Sequence, residues 1–171
     1  MTGMSIVAHL VAAVQPWADA YNDSTPLQAL VMFAHIGGVV MSGGAAVTTD
    51  RATLAASRRT PDARAQALAT LRASHRVILI GLGVVLASGL LLLAADLESL
   101  LGSTAFWVKM GLLTLLAVNG ALLMRSERPV PAATDDAGAR RQWRALTRRS
   151  VTSLVLWFAL VLSSTVLVTS A

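Results

Sequence analysis

Three histidines and a single lysine are the residues on which ligand or proton chemistry would turn in this chain, which contains no cysteine and only nine acidic residues. His35 stands inside an apolar stretch, about eight residues from its start, a depth of roughly 12 Å at the helical rise. An ionisable side chain that deep marks either a functional site or a hydrogen bond that ties two helices together. Around it Ala34, Gly37, Gly38, Ser42, Gly43 and Gly44 strip bulk from more than one helix face. Such a surface admits either another helix at close range or a flat macrocycle or isoprenoid quinone, with Gly38 and Ser42 the candidate cofactor contacts beside His35.

Lys109 enters another apolar stretch about four residues from its end, a depth of roughly 6 Å, where its ammonium either snorkels to the headgroups or meets a ligand shared with His35. His75, in Arg72-Ala-Ser-His75-Arg76, is expected about 20 Å in depth from His35, too far for both to clamp one iron. It reads as interfacial, with a headgroup or a propionate as its polar partner. His9 reaches His35 only if the N-terminal segment plugs the bundle mouth. Asn119 reads as a hydrogen-bonding residue between helices. Copper bound by His9, His35 and the six methionines ranks below haem, because Met4, Met32 and Met41 form no close Met-x-Met cluster. The chain holds no HExxH, no paired acids within the apolar stretches, no Ser-His-Asp candidate and no phosphate-cradling loop. Redox chemistry on a bound cofactor is what remains.

The elements that must position these residues follow from composition. Of 171 residues, 55% are hydrophobic and 13% charged, with a mean hydropathy of +0.65. A soluble domain of this size carries about a quarter charged residues. Four proline-free apolar stretches, Leu27–Thr48, Val77–Ala95, Phe106–Met124 and Val151–Val168, are each long enough to cross a hydrocarbon core. The expected fold is therefore all-α, an integral membrane four-helix bundle occupying residues 27–171.

Apart from Lys109, all 14 basic residues are arginines, and they fall into residues 49–76 and 125–150, between spans one and two and between spans three and four. The positive-inside rule makes both basic loops cytoplasmic and places both termini outside. Trp17, Tyr21 and Trp107 then belong to the outer aromatic belt and Trp143 to the inner one. Nucleic-acid binding is disfavoured, because the arginines are not interleaved with aromatics. Contact with membrane lipid is expected throughout, and the basic loops can also meet anionic headgroups.

Residues 1–26 read as an outer interfacial segment, with Ser5–Val14 too short to span. A signal peptide cut near Ala18-Asp19-Ala20 is the competing reading, against which stands the missing positive n-region. Thr60-Pro61 predicts a helix start that runs on into span two, Ala139–Arg149 a basic helical lead-in to span four, and Pro129–Pro131 with Gly138 an irregular connection.

The stretch His35-Ile-Gly-Gly-Val-Val-Met-Ser-Gly-Gly, with Arg51 sixteen residues beyond the histidine, resembles the first helix of the bacterial membrane protoporphyrinogen oxidase family, four-helix haem b proteins. Phe106-Trp107-Val108-Lys109 resembles that family's entry to helix three, and Gly89 matches a helix-two glycine. The copper-resistance D-like membrane proteins share similar helix patterns. This chain departs from the oxidase pattern at Met41–Gly44, where a bulky aromatic is expected, and at Asn119, near the place of a helix-three histidine.

The resemblance implies His35 as axial ligand of one haem b. It also implies Lys109 as a functional residue near haem or substrate and Arg51 as its partner at the cytoplasmic end, the two candidate catalytic residues. The expected function is a haem-binding membrane redox protein of the bacterial plasma membrane, performing electron transfer or oxidation of a membrane-associated substrate, with a quinone as possible partner. The alternative is a non-enzymatic membrane subunit whose glycine-rich first span packs into a homo-oligomer or larger complex. A transporter is disfavoured by the near absence of charged or broken-helix sites in the spans.

Overall fold

The structure, a computed structural model, describes residues 6–126 and 136–170, with side chains described through 126 and from 137 to 166. Six helices follow one another: α1 (Ile6–Asn22), α2 (Thr25–Ala56), α3 (Pro61–Ala95), α4 (Leu97–Gly102), α5 (Thr104–Ser126) and α6 (Asp136–Ser170). No strand occurs among the described residues. α2, α3, α5 and α6 are long and apolar enough to cross a membrane, so the chain is an all-α four-helix membrane bundle. Arg128 and Pro129–Pro131 lie outside the described residues, and Gly138, expected in the irregular connection, is already helical because α6 begins at Asp136.

The helix boundaries follow local chemistry. Ser24 caps α2 by accepting from the Leu27 N–H, with Pro26 in the first turn where no N–H is needed. Gln28 donates to the Tyr21 and Asn22 carbonyls, closing the end of α1 onto the start of α2. Thr60 caps α3 in the same way, accepting from Ala63 N–H just before Pro61. The expected helix start at Thr60-Pro61 and the helical lead-in at Ala139–Arg149 are both present.

Residues 49–76 form a loop only at 57–60; the rest continues α2 and begins α3. α2 has 32 residues, about 48 Å, against a hydrocarbon core of about 30 Å. The arginine-rich ends of α2, α3 and α6 thus project well beyond the apolar layer as helix.

α2 lies against both α3 and α6, and α5 pairs with α6. Ala46, Leu116 and Trp157 join α2, α5 and α6, with Ile78 of α3 against them. Nearer the arginine-rich end Leu71, Leu123 and Leu146 join α3, α5 and α6. Asn119 donates to the Arg149 carbonyl at 3.0 Å, the α5–α6 link expected of it. α3 and α5 make no comparable close backbone approach, which leaves that flank of the bundle the loosest.

Polarity is distributed inside out. Phe33, Phe158 and Val40 are 75%, 68% and 67% exposed, whereas Ser42, Thr53, Asn119 and Ser150 are buried. Large apolar side chains facing outward are stable only against lipid. The buried hydroxyls of Ser42, Thr49, Thr53 and Ser88 donate back to carbonyls of their own helices.

α1 runs through Pro16 to Asn22, further than the Ser5–Val14 segment read from sequence, and packs across α3 and α2. Trp17 Nε1 donates to the Leu91 carbonyl at 2.9 Å, docking α1 at the end of the bundle away from the arginines. Trp17 and Tyr21, and Phe106 and Trp107, make ring contacts at that same end.

Candidate functional site

His35 projects from α2 against α3, where its Nδ1 lies 3.0 Å from Ser88 Oγ. Ser88 has one hydroxyl proton and gives it to the Val84 carbonyl at 2.6 Å. With that proton on the carbonyl the oxygen accepts from His35 Nδ1–H and the lone pair stands on Nε2; in the other tautomer the roles reverse.

Gly89 completes the seat: a Cβ there would stand 3.4 Å from His35 Cε1, within the ring's own contact distance. Val85 contributes a carbonyl beside the ring, and Lys109 of α5 lies within electrostatic range of it. Three spans thus contribute to one site: α2 the imidazole, α3 its anchor and α5 a half-buried ammonium.

The other sequence candidates fall elsewhere. A Cβ on Gly38 would lie 2.9 Å from the Gly81 carbonyl oxygen and from Val85 Cγ2, and one on Gly81 would lie 2.9 Å from Ser42 Cβ. Gly38 and Ser42 form the crossing with α3, so helix α3 occupies the face they were expected to offer a cofactor. Arg51 is exposed on α2, sixteen residues or about 24 Å along the helix from His35. His75 is thirteen residues from Ser88 on α3, about 20 Å away, and His9 is exposed on α1. Among the described residues no three His, Asp or Glu side chains gather to hold a metal ion.

A single imidazole nevertheless fits haem, because the porphyrin supplies four of the iron's donors and the protein need supply only an axial one. A histidine held at Nδ1 by a hydroxyl is of the type that would serve there, with Nε2 as the ligating nitrogen. Gly89 lies beside the ring, where a Cβ would make ordinary contact with it at 3.4 Å from Cε1 and 3.8 Å from Nδ1.

Asp50 escaped the sequence reading because it stands two residues beyond the apolar stretch as drawn from Leu27 to Thr48. α2 continues past it, and Asp50 is 1% exposed. Its polar neighbours are the Ser150 and Ser153 hydroxyls of α6, yet neither closes a hydrogen bond of acceptable geometry onto either carboxylate oxygen, and Ser150 Oγ is itself without a partner. The signal was present as a stripe of small and polar residues at helical spacing: Gly38, Ser42, Ala46, Asp50 and Thr53. Ser150, Ser153 and Trp157 form the corresponding stripe on α6.

A buried carboxylate without hydrogen bonds opposes folding by about 1–3 kcal/mol. Asp50→Asn, whose amide can donate to both serines, is expected to raise the thermal midpoint in detergent by several degrees, at roughly 2–4 °C per kcal/mol for a chain of this size. A lowered midpoint would show instead that the Ser150 and Ser153 hydroxyls stabilise the carboxylate.

No protein-family model, curated protein or solved structure matches this chain.

Proposed function

We propose that this chain is a haem b-binding membrane redox protein with His35 as the axial ligand. The observation that carries the reading is His35 itself, an imidazole inside an apolar span with Nδ1 held 3.0 Å from the Ser88 hydroxyl. Burial at this depth is costly without a function.

Bound haem would supply one-electron chemistry; the chain supplies position and charge. Ser88 and the Val85 carbonyl orient the imidazole, and Gly89 gives it room. Lys109 provides a positive charge suited to a propionate or to an acidic group on the substrate. The loose α3–α5 flank favours a lipid-soluble partner, of which a quinone is the simplest. With the arginine-rich end cytoplasmic by the positive-inside rule, the site lies in the outer leaflet of a bacterial plasma membrane.

The scaffold alternative loses part of its support, because Gly38 packs against α3 and Gly43 against Trp157 of α6, inside the chain. Gly37 and Gly44 remain open, with nothing within 4 Å of a Cβ at either position. These two are where an external helix would dock.

The test is an absorbance spectrum of the full chain purified in detergent from cells with adequate haem supply, as isolated and after dithionite. A Soret band with reduced α and β bands is expected. A featureless spectrum would overturn the reading and favour the scaffold.

A further inference from the structure

Beyond the histidine site, the arginine-rich end holds a pocket of about 430 Å³ between the α2–α3 turn and α6. Arg64, Arg140, Arg144 and Arg148 line it, with Trp143 on its wall and no acidic residue among its described lining. We infer that this pocket binds a phosphate group.

Arg64 is built into the pocket rather than waving from the surface. Its Nη2 donates to the Ser57 carbonyl at 2.8 Å, and its guanidinium carbon stands 5.4 Å from the centre of the Trp143 ring. A guanidinium fixed at one edge and stacked on one face is preorganised for an oxyanion. Arg140, Arg144 and Arg148 follow at four-residue intervals along one face of α6, and Ser57 and Thr147 place hydroxyls in the same lining. Arginines that merely set topology need no pocket and no shared focus. Like charges drawn from two helices around one space repel one another unless an anion sits among them.

Depth leaves two sources for the phosphate. Arg148 and Arg140 lie three and eleven residues before Val151, where the apolar stretch of α6 begins, so the pocket runs from about 5 to about 16 Å beyond that edge. That interval covers both the headgroup layer and the water next to it. An anionic phospholipid could enter from the side, and a soluble phosphate from the open end.

The experiment uses the full chain in detergent and follows its thermal midpoint at fixed ionic strength. One arm adds phosphatidylglycerol against phosphatidylcholine, the other inorganic phosphate against chloride. The variant Arg144→Gln/Arg148→Gln removes two exposed side chains and so leaves the fold intact, and Arg76→Gln, also exposed but outside the pocket, is the charge control. A midpoint raised by phosphatidylglycerol alone assigns the site to a headgroup, and one raised by phosphate assigns it to a soluble ligand. In either case the double variant is expected to bind at least about tenfold more weakly, while Arg76→Gln binds as the parent does. No shift in either arm, or an equal loss in the control, would overturn the inference.

Discussion

Replacing His35 by alanine is expected to abolish the Soret band and leave the helical circular dichroism of the bundle unchanged. The fold should survive because the groups beside the imidazole keep their own bonds: the Ser88 hydroxyl still donates to the Val84 carbonyl after the ring is gone, and the Val85 carbonyl lies within α3. No buried group is orphaned by the change, and His35 is only half-buried. Ser88→Ala tests the anchoring more finely. It removes the acceptor for Nδ1–H but keeps the ligand, so haem should be retained with affinity lower by roughly 10–100-fold, the usual effect of losing a group that orients a metal-bound histidine. Retention of a normal Soret band in His35→Ala would end the proposal. A spectrum and affinity unchanged in Ser88→Ala would leave His35 as ligand and remove the anchoring argument.

The second large effect is expected at Gly81. A Cβ there would lie 2.9 Å from both the backbone nitrogen and Cβ of Ser42 and 3.0 Å from the Gly38 carbonyl oxygen, so α2 and α3 would have to move apart. Backbone cannot yield as a side-chain tip does. Overpacking of this kind costs about 1–3 kcal/mol, so Gly81→Ala is expected to lower the thermal midpoint by several degrees. Gly83, two residues further along α3, has nothing within 4 Å of its Cβ position. Gly83→Ala is expected to be neutral or to stabilise by up to about 1 kcal/mol through helix propensity. Similar midpoints for the two variants would show that α2 and α3 do not cross as described. Because the crossing lies one to two turns from Ser88, Gly81→Ala should also loosen the seat of His35 and weaken haem binding.

Both predictions depend on a division between what periodicity reveals and what packing reveals. The four spans, the cap at Thr60, the lead-in at Ala139–Arg149 and the role of Asn119 were legible in the sequence, because each is set by local chemistry or by the depth of a side chain in an apolar run. The small residues around His35 were legible too, but not their use. Glycine on a membrane helix signals that something approaches closely, and only the position of α3 shows that at Gly38 and Ser42 it is another backbone. Asp50 was hidden by a boundary drawn where hydropathy falls, although the helix and its buried face run on to Ala56.

By itself the sequence determined that this is an all-α membrane bundle, with its arginines gathered at one end and a histidine deep in one span. Span length, apolar composition and charge placement are properties of each segment alone, and the bilayer reads them segment by segment. Tertiary structure decided the rest: that His35 Nδ1 meets Ser88, that Lys109 comes near the ring and Arg51 does not, that Asp50 faces two serines, and that Arg64 joins the arginines of α6 around Trp143. Those facts depend on how far one helix is rotated and shifted against another. That geometry is chosen by contacts between residues far apart in the chain, and no single stretch of sequence contains it.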